Sequence, residues 1–326
     1  MLAATSVGLA HYSVFTLAII FVLAIDLGVF NRTPHKVSFK EALAWSSLWF
    51  SVSMLFGIFA IPEVYSADVS GAKRIEFLTG YVLELSLSMD NVFVIALIFS
   101  YFKVKSEFQH RVLFWGILGA LIMRGLMIGI GAAAVAKWGA ILYVFGVFLL
   151  ITGIKMLFTS EDDSVEPENN ILVKIARKFF PVHDQFEGEK FTVRIDGKTM
   201  LTPMAIVLIT IESTDVVFAV DSIPAIFAVT TDPFIVFTSN MFAILGLRSL
   251  YFVLAGAIEY FHYLKYGLAL VLAFIGAKML LHHWIKNTFG EIPHWLPLAV
   301  VGAILAGSMV ASIVHKKGSD NGRAEE

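Results

Sequence analysis

LTPMAIVLITIESTDVVFAVDSIPAIFAVTTD, Leu201 to Asp232, is long and apolar enough to cross a bilayer as a helix, yet it carries Glu212, Asp215 and Asp221 near its middle. One carboxylate at the centre of an inserting helix costs at least ~2.5 kcal/mol, so three in one span are expected to face a polar interior. Glu212 and Asp215 stand at i, i+3, and Asp215 and Ser222 at i, i+7. One helical face therefore presents two carboxylates and a hydroxyl, with Asp221 about one residue's rotation away. Pro224 has no amide hydrogen and its ring crowds the preceding turn, which frees the carbonyl of Val220. A polar break of this kind is tolerated at membrane depth only inside protein or beside a water-filled cavity.

The rest of the chain agrees with a membrane setting. Of 326 residues, 58% are hydrophobic and 15% charged, and the mean hydropathy is +0.79, outside the range of ordinary soluble domains. The reading is an all-α polytopic membrane protein embedded in a lipid bilayer. A formal charge of -2 gives no footing for a nucleic-acid partner. Cysteine is absent, which removes disulfides, thiolate metal sites and thiol redox chemistry from the protein itself. Of the histidines, His282 and His283 are adjacent and so do not share a face, leaving no zinc-like pair. No nucleophile and base stand in a recognisable pairing, so neither an enzyme nor a prosthetic group is expected. Met1 to Ala10 holds no Lys or Arg, and the first apolar run is too long for a signal-peptide core, so it reads as a retained span.

Apolar runs of spanning length fall at about 11–30, 42–61, 76–102, 112–136, 138–158, 201–229, 234–257, 265–285 and 295–314, an expectation of nine helices. Spans one to five occupy 1–158 and spans six to nine 201–314, with a tail at 315–326. Between them, 159–200 opens with the acidic run EDDSVEPENN, continues into ILVKIARKFF with helical apolar spacing, and ends in KFTVRIDGKTMLT. Asp196-Gly197 between alternating residues is a hairpin signal, so a short helix and a two-stranded hairpin are expected there. Lys and Arg concentrate in one alternate set of loops (Arg32, Lys36 and Lys40; Lys103, Lys105 and Arg111; the 159–200 loop; the tail). By the positive-inside rule the amino end is outside and the carboxyl end cytoplasmic.

Three landmarks recur at nearly constant offset. SMDNVF parallels STDVVF, matching Asp90 with Asp215; ALIMRGLM parallels ILGLRSLY, matching Arg124 with Arg248; GIKMLF parallels GAKMLL, matching Lys155 with Lys278. Residues 76–158 and 201–285 thus read as two copies of one three-helix unit. An odd number of spans per copy inverts the second copy, an architecture of transporters with the binding site where the copies meet. In the first copy Glu84, Ser88 and Asn91 share a face, with Asp90 beside them. Glu84, Asp90, Asn91, Glu212 and Asp215, with Asp221 and Ser222 close by and Asn240 as a further carbonyl, are the expected metal path. Arg124 and Arg248 are the expected buried counter-ions. An oxygen-rich, sulfur-free set of this kind suits a hard divalent cation such as Mn²⁺, Mg²⁺ or Ca²⁺. Clustered carboxylates repel unless a cation or protons neutralise them, so competition between metal and protons is a natural mechanism.

TGYVLELSLSMDNVFV and ESTDVVFAVDSIPAIFAVTTDPFIVFTSNMFAILGLRSLYFVLAG resemble the two signature blocks of the TerC family, most closely its Alx-like branch, and FTVRIDGKTMLTP is similar too. The resemblance runs over roughly Tyr12 to His283. It implies a bacterial inner-membrane manganese exporter, with Asp90, Asn91, Glu212, Asp215, Asp221 and Ser222 at the metal path. Two other expectations stay open: a non-transporting stress-response or redox partner acting through the 159–200 loop, and transport of a different cargo, Ca²⁺ or an anion drawn to Arg124 and Arg248.

Overall fold

The computed structural model describes residues 7–25, 37–158, 170–195, 197–255, 263–289, 293 and 295–323. Most of the acidic run and Asp196 lie outside them. Helix α1 covers Leu9–Ile25 and α2 Phe39–Leu55; a π turn at Phe56–Ala60 leads into α3, Ile61–Val64. Pro62 cannot donate to Ile58, and the wider π turn just before it is the local adjustment that lets the helix run on. Then come α4 (Ala67–Tyr101), α5 (Ser106–Lys137) and α6 (Ile141–Phe158). After α7 (Ile171–Phe179) and the strands β1 (Thr192–Ile195) and β2 (Lys198–Leu201) follow α8 (Pro203–Phe227), α9 (Pro233–Ala255), α10 (Leu264–Phe289) and α11 (Trp295–Arg323).

Among the described residues eight helices are long and apolar enough to cross a membrane, and α1 is a shorter apolar helix. The protein is an all-α polytopic membrane protein. The observed helices overrun the apolar runs because hydrogen bonding continues through polar turns: α4 starts nine residues before Glu76, at Ala67, and α11 carries the expected tail as helix to Arg323. Pro224 does not end α8, which closes one turn later at Phe227, with the Ala228 amide donating to the Pro224 carbonyl at 3.1 Å.

The helix and hairpin expected in the long loop are α7 and β1–β2. Asn170 caps α7, its Oδ1 accepting from the Leu172 and Val173 amides at 2.9 and 3.3 Å. The strands pair antiparallel with Ile195 opposite Lys198, and Gly197 takes the positive φ of 78° that a two-residue turn requires.

Helix α9 is the enclosed one, with 83% of its spanning window buried, whereas α2 and α6 bury only 17% and turn most of their surface outward. The first helix of each expected copy packs on the second helix of the other, α4 on α9 and α8 on α5. The third helices, α6 and α10, pack on each other. A Cβ added at Gly153 would lie 2.7 Å from the Ala269 carbonyl and Ala273 amide; one at Gly276 would lie 2.7 Å from the Gly146 carbonyl and Leu150 amide. As α6 advances through Gly146, Leu150 and Gly153, its partners on α10 recede through Gly276, Ala273 and Ala269, so the pair is antiparallel. The Lys155-to-Lys278 offset carries Gly146, Leu150 and Gly153 onto Ala269, Ala273 and Gly276. The contact therefore maps onto itself, a two-fold about the crossing of α6 and α10.

Backbones this close exclude any side chain on either glycine. Gly153→Ala and Gly276→Ala are expected to destabilise the protein by similar amounts, about 1–3 kcal/mol each, read as thermal unfolding in detergent. Clearly unequal losses contradict the symmetric contact.

Candidate cation site

The site grows from polar residues on four helices that packing forces inward. On α4, Glu84 and Asn91 share the face turned to α8 and α9, and Asp90, about 100° round the helix, looks elsewhere. The α5 face brings Arg124 to the same level. Arg124 is 1% exposed. Its Nε donates to Asp215 Oδ2 at 3.2 Å and its Nη2 to Asp215 Oδ1 at 3.0 Å, a two-pronged pair. Its Nη1 donates to Asn240 Oδ1 at 3.3 Å, and it is ion-paired with the fully buried Glu84. Asn91 Nδ2 donates to Asp215 Oδ1 at 3.3 Å. Two carboxylates share one guanidinium, so this network carries a net negative charge when both are ionised.

Asp90 and Asp221 lie outside that network. They line a cavity of about 90 Å³ together with Asn91, Thr152, Met156 and Ser222, and with Arg124 on its wall. Thr152 of α6 hydrogen-bonds the Asp221 side chain, and Lys265 of α10 is the cation whose charge acts on Asp90. A water needs roughly 10–15 Å³ of such space, so the cavity has room for several waters or a partly hydrated ion. Among the described residues the buried Ser222 hydroxyl has no hydrogen-bond partner. A second cavity of about 20 Å³ adjoins Asn91, Thr214, Asp215 and Arg248, and a third of about 10 Å³ meets Arg248, Ser249, Trp45 and Trp49. Asn91 and Phe218 line both the first and second.

The expected residues thus divide instead of gathering round one ion. Asp90, Asn91, Asp221 and Ser222 share the larger cavity; Glu84 and Asp215 are tied to Arg124. Glu212 is separate, its carboxylate laid over Gly119 of α5, where any side chain would displace it. Among the described residues no three carboxylate or histidine side chains form a metal-ligating group. The physical reason is Arg124: a buried guanidinium takes up the two nearest carboxylates before they can converge on anything else. Thr152 and Met156 are lining groups that the sequence reading passed over; a lone Thr in an apolar span was their only signal.

A second polar cluster stands at the start of α4. Lys73 Nζ lies 2.9 Å from Glu76 Oε2 and 3.2 Å from Asp232 Oδ2, Thr230 donates to Glu76 at 2.5 Å, and Tyr65 donates to Asp232 at 2.9 Å. Burial, then the adjacent Asp232 carboxylate, push the Tyr65 phenol well above its usual range, so it remains a donor. Asp232 also caps α9 by accepting from the Phe234 amide at 3.1 Å, which joins the α8–α9 turn to α4. On the opposite side Asn170 Nδ2 donates to Ser213 Oγ at 2.5 Å, docking the α7 cap on α8 two residues from Asp215.

Comparison with known proteins follows the same lines. The sequence profile of the integral membrane protein TerC family matches residues 69–320. An uncharacterized membrane protein of Myxococcus xanthus is 46% identical over 299 residues, covering 92% of this chain and 90% of that one. Proteins provisionally named membrane-bound redox modulator Alx are similar too: that of Photorhabdus laumondii is 45% identical over 303 residues, covering 92% of this chain and 93% of its own, and that of Escherichia coli K12 is 46% identical over 300 residues, covering 91% and 92%. No solved structure matches. A bacterial multi-pass setting, the signature blocks around Asp90 and Asp215 and the profile match converge on one conclusion: the chain belongs to the TerC family of integral membrane proteins.

Proposed function

We propose that the protein carries a divalent metal cation across the bacterial inner membrane, Mn²⁺ before others, and that it works as an exporter. The observation that supports this most is the composition of the 90 Å³ cavity. Two carboxylates, a carboxamide and two hydroxyls surround a space of ion size, and the one guanidinium on its wall is already engaged by Glu84 and Asp215. Lys265 acts on Asp90 from α10, and the second negative charge of the cavity can be met by a metal ion or by protons; exchange of one for the other is the coupling we assign. The loop charges support a cytoplasmic position for α7 and the hairpin.

The two-fold contact of α6 and α10 supports extending the inversion to the whole triplets, and that extension supplies a mechanism. Here Arg124 neutralises Asp215 and leaves Asp90 to the cavity. The counterpart pair is Arg248 with Asp90. In the opposite-facing conformation Arg248 closes on Asp90, Arg124 leaves Asp215, and the small cavity beside Asn91, Asp215 and Arg248 opens.

The relatives' redox name supports a second reading, a membrane partner working on other proteins through α7 and the hairpin. A chain without cysteine can do no thiol chemistry of its own in that role. Radiotracer flux in proteoliposomes, over Mn²⁺, Mg²⁺ and Ca²⁺ at two proton gradients, separates the readings. Mn²⁺ flux that responds to an opposing proton gradient is the expected result. A protein that moves no cation, in cells where replacing 159–200 abolishes its effect, belongs to the second reading.

A further inference from the structure

The cavity beside Asp90 has one soft donor. Met156 follows Thr152 by four residues on α6, so both project from one face into the space that Asp90, Asn91, Asp221 and Ser222 line. All the other polar groups there are oxygen or nitrogen donors. We propose that the Met156 thioether is a specificity-determining group, which favours a first-row transition cation or another thiophilic divalent ion over Mg²⁺ and Ca²⁺. The inference rests on reading the cavity as the cation site and says which class of cation that site takes.

The chemical argument is one of matching. Mg²⁺ demands near-ideal octahedral oxygen coordination and gives up water reluctantly, and Ca²⁺ seeks six to eight oxygens. A wall that offers sulfur where a water or carbonyl would stand penalises both. Softer cations accept a thioether, and geometry and ligand type, more than raw affinity, set selectivity among divalent metals. Two carboxylates hold any divalent ion by charge, so discrimination has to come from neutral donors.

Methionines in membrane helices more often fill gaps in packing, and Met156 does pack beside the core formed by α6, α8, α10 and α11. Its position in the repeat singles it out. The counterpart of Thr152 is Ile275, in the apolar core, and the counterpart of Met156 is Met279, whose Cβ lies in the α6–α10 seam against Gly146. Likewise Asp221 and Ser222 correspond to Ala96 and Leu97. The Asp221 carboxylate and the Thr152 and Ser222 hydroxyls are therefore assembled on one side of the two-fold only, and they surround Met156 where Met279 has an apolar seam.

The test is competition against Mn²⁺ flux in proteoliposomes of the full chain, with Cd²⁺ as thiophilic probe and Ca²⁺ and Mg²⁺ as hard ones. Met156→Leu conserves volume, so the variant is expected to fold and melt like wild type, while its Mn²⁺ flux falls relative to its Ca²⁺ flux. Inhibition by Cd²⁺ should weaken by about 10-fold or more, the scale on which metal surroundings tune affinity, and inhibition by Ca²⁺ should strengthen. Met156→Gln puts a hard carbonyl at similar reach and should raise Ca²⁺ and Mg²⁺ flux. Unchanged Cd²⁺ and Ca²⁺ profiles in a variant that still moves Mn²⁺ overturn the inference and leave the cation site standing. A wild-type protein that moves no divalent cation overturns both.

Discussion

Asp90→Asn is expected to abolish Mn²⁺ flux while the protein inserts, folds and melts within a few degrees of wild type. The substitution keeps shape and changes charge. Asp90 is not a member of the Arg124 network, so that network stays intact, and only the attraction to Lys265 of α10 is lost. What changes is the cavity, which drops from two carboxylates to one. Loss of even an outer partner of a metal costs 10–100-fold in affinity or activity, and loss of half the fixed negative charge should exceed that. Flux in proteoliposomes and accumulation of cellular manganese are the readouts. Flux within a few fold of wild type in Asp90→Asn removes this residue from the path.

Arg124→Leu should do the opposite: it should damage the fold before it touches transport. Arg124 is 1% exposed and holds Glu84, Asp215 and Asn240 at once. Taking one partner from a buried ion pair costs about 3–5 kcal/mol because the other charge stays uncompensated, whereas replacing the whole set by neutral groups is often neutral or stabilising. The single variant is therefore expected to accumulate poorly and unfold at lower temperature. Adding Glu84→Gln and Asp215→Asn should restore stability, a non-additivity that thermal unfolding in detergent can measure. The rescued triple variant then answers a functional question. If Asp215 serves only as counter-ion, Mn²⁺ binding beside Asp90 and Mn²⁺ flux both survive; if it takes the ion in the opposite-facing conformation, binding survives and flux does not.

Much of this was legible from the chain. Hydropathy located the helices, and the recurrence of SMDNVF as STDVVF, with the later arginine and lysine landmarks, pointed to two copies of one unit. It even placed Gly153 and Gly276 as equivalents, and the structure brings them to one crossing. Periodicity correctly put Glu84 and Asn91 on one face. Partner choice was not legible. A spacing of three or seven residues says which side chains share a helix face, not which neighbouring helix that face meets, so it could not tell that Arg124 would claim Glu84 and Asp215. The same gap sent Glu212 to Gly119 instead of the cavity. Thr152 and Met156 were invisible for a simpler reason: in an apolar span one hydroxyl and one thioether do not rise above the background of packing residues.

The helix pairing also explains how a symmetric scaffold can hold an asymmetric site. The α6–α10 seam needs small residues at equivalent positions and has them. The polar groups obey no such constraint: Asp221 stands opposite Ala96 in the repeat, and Glu84 opposite Ile209. The polar groups that line the Asp90 cavity thus stand mainly on one side of the α6–α10 two-fold.

Anomalous diffraction at the manganese edge, from crystals of the protein soaked in Mn²⁺, tests the account at its centre. It predicts one strong peak inside the cavity bounded by Asp90, Asn91, Thr152, Asp221 and Ser222, absent in Asp90→Asn. A peak between Glu76 and Asp232 alone, or none at all at millimolar Mn²⁺, contradicts it.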